Sequence, residues 1–97
     1  MSLKIEKKNA TVLALSGRLD TATAPELEAE ITALLSTENE LTLDMENLAY
    51  ISSAGLRVLL KTYKALEGKG GFRLTNVPES VNEVLDITGF SDFLTIE

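Results

Sequence analysis

The stretch that decides the fold runs from Leu41 to Leu66, with the sequence LTLDMENLAYISSAGLRVLLKTYKAL. Residues 41–45 alternate apolar and polar side chains, which is the period of a strand with one buried face. Apolar side chains then recur at spacings of three and four, the period of an amphipathic helix, at Leu56, Leu59, Leu60, Tyr63 and Leu66. The pattern therefore predicts a strand, a short connection and a helix that begins near Ser53.

Two adjacent serines, Ser52 and Ser53, lie at this predicted junction. A serine hydroxyl at the start of a helix can accept a hydrogen bond from a free backbone N–H group, so a capping role for Ser53 would explain the pattern by itself. A helix N-terminus also favours negative charge, so a phosphate would be tolerated there. The local pattern allows both roles.

Composition narrows the range of functions. The 97 residues are 44% hydrophobic and 25% charged, which predicts one soluble domain over residues 1–97. Neither cysteine nor histidine is present, so disulfides, thiolate metal sites and histidine-based catalysis are excluded, and we expect no cofactor. The net charge of −6 is the wrong sign for nucleic-acid binding. No run approaches the roughly 20 apolar residues that span a bilayer, and the N-terminus lacks a signal-peptide pattern, so we expect a cytoplasmic protein with no membrane contact.

Strand and helix patterns alternate along the rest of the chain. Residues 3–5 and 11–15 read as an opening hairpin whose second strand ends at Gly17, and Thr23–Glu26 reads as a capping box that opens a helix to about Thr37. A strand at 72–75, a helix at about 79–88 and a short edge strand or packed tail near 93–96 follow. This order predicts an α/β fold with a mixed, mostly parallel sheet of four to five strands flanked by helices.

Two predicted loops, 18–22 and 46–53, each follow a strand. Ligands and partners of such sheets meet the loops at the carboxyl ends of the strands, so Asp20 and Ser53 are predicted to be neighbours. Asp20, Asp44 and Glu46 could suggest a metal cluster, but Asp44 ends a strand and could simply hydrogen-bond the loop, so no metal site is predicted. A basic stripe on the second helix is either a solvated face or a docking edge for an acidic partner, and comprises Arg57, Lys61 and Lys64.

Three segments resemble the STAS domain of bacterial anti-sigma factor antagonists. They are LDMENLAYISSAGLRVLL at 43–60, GRLDTATAPEL at 17–27 and LDITGF at 85–90. In the family pattern Asp-Ser-Ser-Gly-Leu the first serine is phosphorylated, and that position is Ser53 here, with Ser52 in the place of the Asp and as the alternative phosphoacceptor. The resemblance assigns partner contact to the family's loop aspartate, which is Asp20. Further partner-binding residues are predicted around these two, namely Thr21, Ser52, Ser53, Ala54, Gly55, Arg57 and Lys61.

The resemblance implies a protein that binds rather than catalyses. Its partner would be an anti-sigma factor that is a kinase of the GHKL type, and binding would release a sigma factor for transcription. Phosphorylation by that kinase would end binding, and a PP2C-type phosphatase would restore it. A weak homodimer is left open.

Two other functions compete with this interpretation. Ser53 could be the nucleophile of a hydrolase, but the chain has no His to activate it and no nucleophile-elbow motif. Alternatively, the domain could serve assembly, as STAS modules do in lipid-transport complexes and stressosomes.

Overall fold

Five strands form a single sheet in the order β1-β2-β3-β4-β5, in a computed structural model that describes residues 2–97. The strands are β1 (Leu3–Asn9), β2 (Val12–Leu19), β3 (Glu40–Ile51), β4 (Gly71–Thr75) and β5 (Thr95–Ile96). The helices are α1 (Ala24–Leu35), α2 (Ser53–Leu66) and α3 (Glu79–Ile87), and a 3-10 turn spans Phe90–Asp92. The first pair of strands is antiparallel and the other three pairs are parallel, so the predicted mixed, mostly parallel α/β fold is confirmed.

The core lies on one face of this sheet. Each parallel connection carries one helix, and the strands lie side by side in chain order, so right-handed crossovers bring all three helices to the same face. In β2 and the first half of β3 the buried side chains alternate with partly exposed ones. The largest fully buried side chains are almost all leucines: Leu13, Leu15, Leu19, Leu27, Leu41, Leu43, Met45, Leu59, Leu74, Leu85 and Val81.

The predicted ends of β2 and β3 are wrong, since both strands run further than their periodicity indicates. β2 passes through Gly17 to Leu19, and β3 continues to Ile51. Gly17 has φ +99°, and a Cβ at this position would collide with the backbone oxygen of Ser2, so this glycine allows a close approach within the hairpin rather than ending the strand. The predicted connections therefore shorten to residues 20–23 and to Ser52 alone.

Two bulges explain why the alternation of β3 stops at Met45. In the pairing with β2 the register shifts between Ala14 and Ser16 and again between Gly17 and Arg18. Each shift places one extra residue in β3, so the buried residues after Met45 are Leu48 and Ile51, three residues apart. Because of these bulges, the last residue of β3, Ile51, is the register partner of the last residue of β2, Leu19.

Candidate functional site

The end of β2 and the start of α2 meet at one point. Leu19 and Ile51, the last residues of β2 and β3, are register partners, and the backbone N–H of Ser52 donates to the carbonyl oxygen of Leu19 at 2.9 Å. Asp20 and Ser52 therefore each directly follow one residue of this pair. The structure brings the Asp20 loop and the N-terminus of α2 together, as the sequence predicts.

The two serines have different roles at this junction. Ser52 is the N-cap of α2, in extended conformation, and its side-chain oxygen accepts a hydrogen bond from the backbone N–H of Gly55 at 3.3 Å. Ser53 is the first residue of the helix and is exposed, and its hydroxyl has no hydrogen-bond partner among residues 2–97. The interpretation of Ser53 as the helix cap is therefore wrong, and the hydroxyl of Ser53 is left accessible.

Replacing the two serines by alanine should separate these roles. Ser52→Ala removes the cap and should lower the free energy of unfolding by about 1 kcal/mol. Ser53→Ala removes only an exposed hydroxyl and should change it by less than about 0.5 kcal/mol. Urea unfolding of both variants measures the difference. Equal losses would show that Ser53 also caps the helix.

Gly55 brings α2 directly onto the sheet. A Cβ at this position would lie 2.7 Å from Cγ of Leu19 and 2.9 Å from Cγ1 of Ile51. Both distances are shorter than non-bonded carbon atoms tolerate. Both neighbours are buried, and Gly55 is buried with them. The absent side chain at Gly55 therefore sets the height of the N-terminus of α2 above the strand ends.

A network around Asp20 and Thr23 holds the neighbouring loop. Oδ1 of Asp20 accepts hydrogen bonds from the backbone N–H groups of Ala22 and Thr23, each at 3.0 Å. The buried Thr23 hydroxyl donates to the carbonyl oxygen of Arg18 at 2.8 Å and accepts from the backbone N–H of Asp20 at 2.9 Å. Thr23 makes no side-chain cap to α1, so the predicted capping box is wrong. The side chain of Asp20 organises this loop, and Thr21 is exposed within it.

The same hydrogen bonds stabilise the charged form of Asp20. The backbone N–H of Thr23 lowers the pKa of Asp20 below its ordinary value of 3.8 against the opposing effect of partial burial, and the Thr23 hydroxyl, the backbone of Ala22 and the charge of Arg18 lower it further. Nε of Arg18 lies 3.7 Å from Oδ2 of Asp20.

This lowered pKa predicts an acid-dependent contribution to stability. A carboxylate with a depressed folded pKa stabilises the fold above its unfolded pKa, here near 3.8, and the contribution is lost as the pH falls through the folded value. Asp20→Asn should remove that contribution. We expect the unfolding free energies of the native protein and Asp20→Asn to converge as the pH falls below about 4. A gap that stays constant down to about pH 2 would contradict the role of the charge.

Arg18 and Tyr50 extend the site in a way that the sequence analysis missed. They are register partners near the ends of β2 and β3, and the guanidinium carbon of Arg18 lies 4.1 Å from the centroid of the Tyr50 ring. Tyr50 remains 40% exposed. Arg18 therefore contacts an exposed aromatic ring and the Asp20 carboxylate together, and the only signal in the sequence was an aromatic residue two positions before the serine pair.

A groove between α1 and α2 contains four of the predicted partner-binding residues, Thr21, Ala54, Arg57 and Lys61. Within it, Nζ of Lys61 lies 3.2 Å from Oε2 of Glu28, so Lys61 is in an ion pair between the helices. Lys61 is mostly exposed and Glu28 about half exposed, and such a pair contributes little to stability. The predicted basic stripe is thus interrupted, with Arg57 and Lys64 on either side of a neutralised lysine.

Asp44 has the structural role that was left open for it. Its Oδ1 accepts hydrogen bonds from the Asn76 side chain and from the backbone N–H of Glu46, each at 3.1 Å. Within residues 2–97 no three acidic side chains are grouped as a metal site would require. None of the helices in the same range is long and apolar enough to cross a membrane.

Comparison with known proteins identifies the class of protein. The family model of the STAS domain matches residues 3–97. The chain therefore belongs to the STAS domain family.

Relatives that it matches are named as anti-sigma factor antagonists. BtrV of Bordetella bronchiseptica, a candidate anti-sigma factor antagonist, is 40% identical over 93 residues, which cover 93% of this chain and 80% of that protein. The anti-sigma-B factor antagonist of Bacillus subtilis is 28% identical over 92 residues, 94% of this chain and 84% of that protein. Among solved structures, an anti-sigma factor antagonist from Mycobacterium paratuberculosis superposes with a TM-score of 0.83 at 26% identity, covering 97% of this chain and 82% of that one.

Proposed function

We propose that this chain is an anti-sigma factor antagonist controlled by phosphorylation of Ser53. It binds an anti-sigma factor that is a GHKL-type kinase, through a surface formed by the Asp20 loop, the N-terminus of α2 and the groove beside it. Binding releases a sigma factor in the cytoplasm. The kinase ends the interaction by phosphorylating Ser53, and a PP2C-type phosphatase restores it.

The observation that carries this proposal is the state of the Ser53 hydroxyl. It is exposed at the first residue of a helix, has no hydrogen bond to lose within residues 2–97, and lies beside a loop held in place by Asp20. A kinase can therefore reach it without disturbing the fold. The neighbouring Ser52 hydroxyl is half-buried and bonded to Gly55, which makes it the poorer substrate.

The relatives support the binding function, since they are named for antagonism of an anti-sigma factor. A phosphoserine adds about −1.5 to −2 charges at pH 7. The free N–H groups and dipole of α2 accommodate that charge, so its effect falls on a partner that covers the site. An unpaired charge buried in an interface costs about 2–5 kcal/mol, which is enough to switch binding without a change of shape.

Mapping the phosphorylated residue tests the proposal. The purified chain is incubated with lysate of its own source cells and ATP, and its tryptic peptides are sequenced by mass spectrometry. We expect one phosphate, on Ser53, that is absent from Ser53→Ala and retained in Ser52→Ala. A phosphate on Ser52 alone, or one that persists in Ser53→Ala, would contradict the assignment.

The same lysate identifies the partner. We expect the immobilised chain to retain a kinase of the GHKL type in the absence of ATP and to release it once Ser53 is phosphorylated. Retention of a transporter ATPase or of a large homotypic shell would instead indicate an assembly module.

A further inference from the structure

Arg57 is an exposed cation one helical turn from Ser53. Because α2 begins at Ser53, positions 53 and 57 lie on the same face of the helix, with Cβ atoms about 5–6 Å apart. Arg57 is exposed, and it forms no ion pair within the part of the chain that the structure describes. Lys61, one turn further on, is already paired with Glu28.

We propose that Arg57 binds the phosphoryl group of phosphorylated Ser53 within the same helix. This inference rests on the proposed modification of Ser53. A guanidinium presents a planar fork of N–H donors that matches two phosphate oxygens, and its hydrogen bonds to an anion are among the strongest in proteins. The flexible side chain of Arg57 reaches back over one turn, the spacing at which oppositely charged side chains on a helix interact.

This contact changes the partner surface in two ways at once. The phosphate adds negative charge at Ser53, and the ion pair withdraws the positive charge of Arg57 from the groove that it lines with Thr21 and Ala54. Any carboxylate of the partner that pairs with Arg57 in the unmodified protein would then lose its counterion and meet an anion. Phosphorylation therefore changes both the total charge of this surface and the position of its positive charge.

Other charged side chains surround the site, but they are the same in every variant that the test compares. Glu28 faces the groove from α1 and is paired with Lys61, and Asp20 lies on the adjacent loop with Arg18 beside it. These four groups are present whether or not Arg57 is replaced. Their influence on the phosphate is the same in each protein and cancels in the comparison.

The test uses the full chain with phosphoserine incorporated at position 53 during translation, so that no kinase is needed. The pKa of the phosphate is read from the midpoint of a ³¹P NMR titration. Arg57 favours the dianion, so Arg57→Ala should raise the midpoint by about 0.2–0.4 pH unit, and Arg57→Lys should raise it by less.

Lys64→Ala is the matched control. Lys64 is also an exposed cation of α2 without an ion pair within residues 2–97, but it lies eleven residues from Ser53, about 16 Å along the axis and beyond the screening length of physiological salt. Its removal should leave the midpoint unchanged. The same midpoint in the unsubstituted phosphoprotein and in Arg57→Ala would overturn the proposal, and it would leave open whether a kinase modifies Ser53, which phosphosite mapping decides separately.

Discussion

Ser53→Asp is expected to weaken binding to the anti-sigma factor by roughly thirtyfold or more, because the low end of the cost of an unpaired interfacial charge is about 2 kcal/mol. Full phosphorylation should weaken it further, since the phosphate carries about twice the charge of a carboxylate. The fold should be unaffected. An acidic side chain in the first turn of a helix is tolerated or favoured, so the free energy of unfolding should stay within about 1 kcal/mol of the native value.

Ser52→Asp provides the control for this experiment. It adds the same charge one residue earlier, at the N-cap, where a carboxylate can accept the hydrogen bond from the N–H of Gly55 that Ser52 now accepts. The STAS pattern that this chain resembles has Asp at this position, so we expect Ser52→Asp to keep both its stability and its affinity. Isothermal titration calorimetry against the purified partner compares the two variants. Equal losses of affinity would show that the switch responds to charge anywhere at the junction, and not to Ser53.

The fold was predictable because its elements carry strong and regular patterns. The stripe of Leu56, Leu59 and Leu66 marks a helix with one buried face, and all three side chains are buried in α2. The order of strands and helices then leaves few topologies, since parallel neighbours need a crossover and crossovers are right-handed. Five strands in chain order, with a helix in each parallel connection, are one of these topologies.

The sequence failed to predict the end of β3, where the register between the strands β2 and β3 shifts. A period of two predicts β3 only to Met45, because the two bulges after it shift the buried positions to Leu48 and Ile51. Bulges depend on how two strands pair, and the pairing partner of a residue is invisible in a single sequence. The predicted loop of eight residues therefore shrinks to a single residue, Ser52, between β3 and α2.

The sequence predicted where the site lies but not the separate roles of Ser52 and Ser53. Any hydroxyl at a strand–helix junction can cap a helix, so the letters alone do not decide between Ser52 and Ser53. The choice is made by the backbone N–H of Ser52, which pairs with Leu19 and fixes Ser52 in extended conformation before the first turn. The same limit applies to Thr23, whose hydroxyl is drawn to the carbonyl of Arg18 rather than to the helix that it precedes. Both outcomes depend on tertiary hydrogen bonds.

Gly55→Ala tests the contact that places the site, and its sign separates two effects. Helix propensity alone favours alanine over glycine by up to about 1 kcal/mol, so it predicts stabilisation. The collision with Leu19 and Ile51 predicts the opposite, because inserting a methyl group into a packed contact costs about 1–3 kcal/mol. We expect a net loss of about 1–2 kcal/mol in the free energy of unfolding, together with weaker partner binding, since α2 must move away from the strand ends.

Two further variants make the cause of that loss measurable. Ala65→Gly, at an exposed position of the same helix, reports the effect of propensity without any collision. Leu19→Ala removes two of the three atoms nearest to a Cβ at position 55 and leaves Cγ1 of Ile51, at a cost of about 2–5 kcal/mol for a fully buried leucine. The double variant of Gly55→Ala and Leu19→Ala should lose less unfolding free energy than the sum of the two single losses. We expect the difference to be about 1–2 kcal/mol, because the new methyl group enters the space that Leu19 vacates. Strict additivity, or a more stable Gly55→Ala, would mean that α2 is not seated on the ends of β2 and β3 as closely as Gly55 allows.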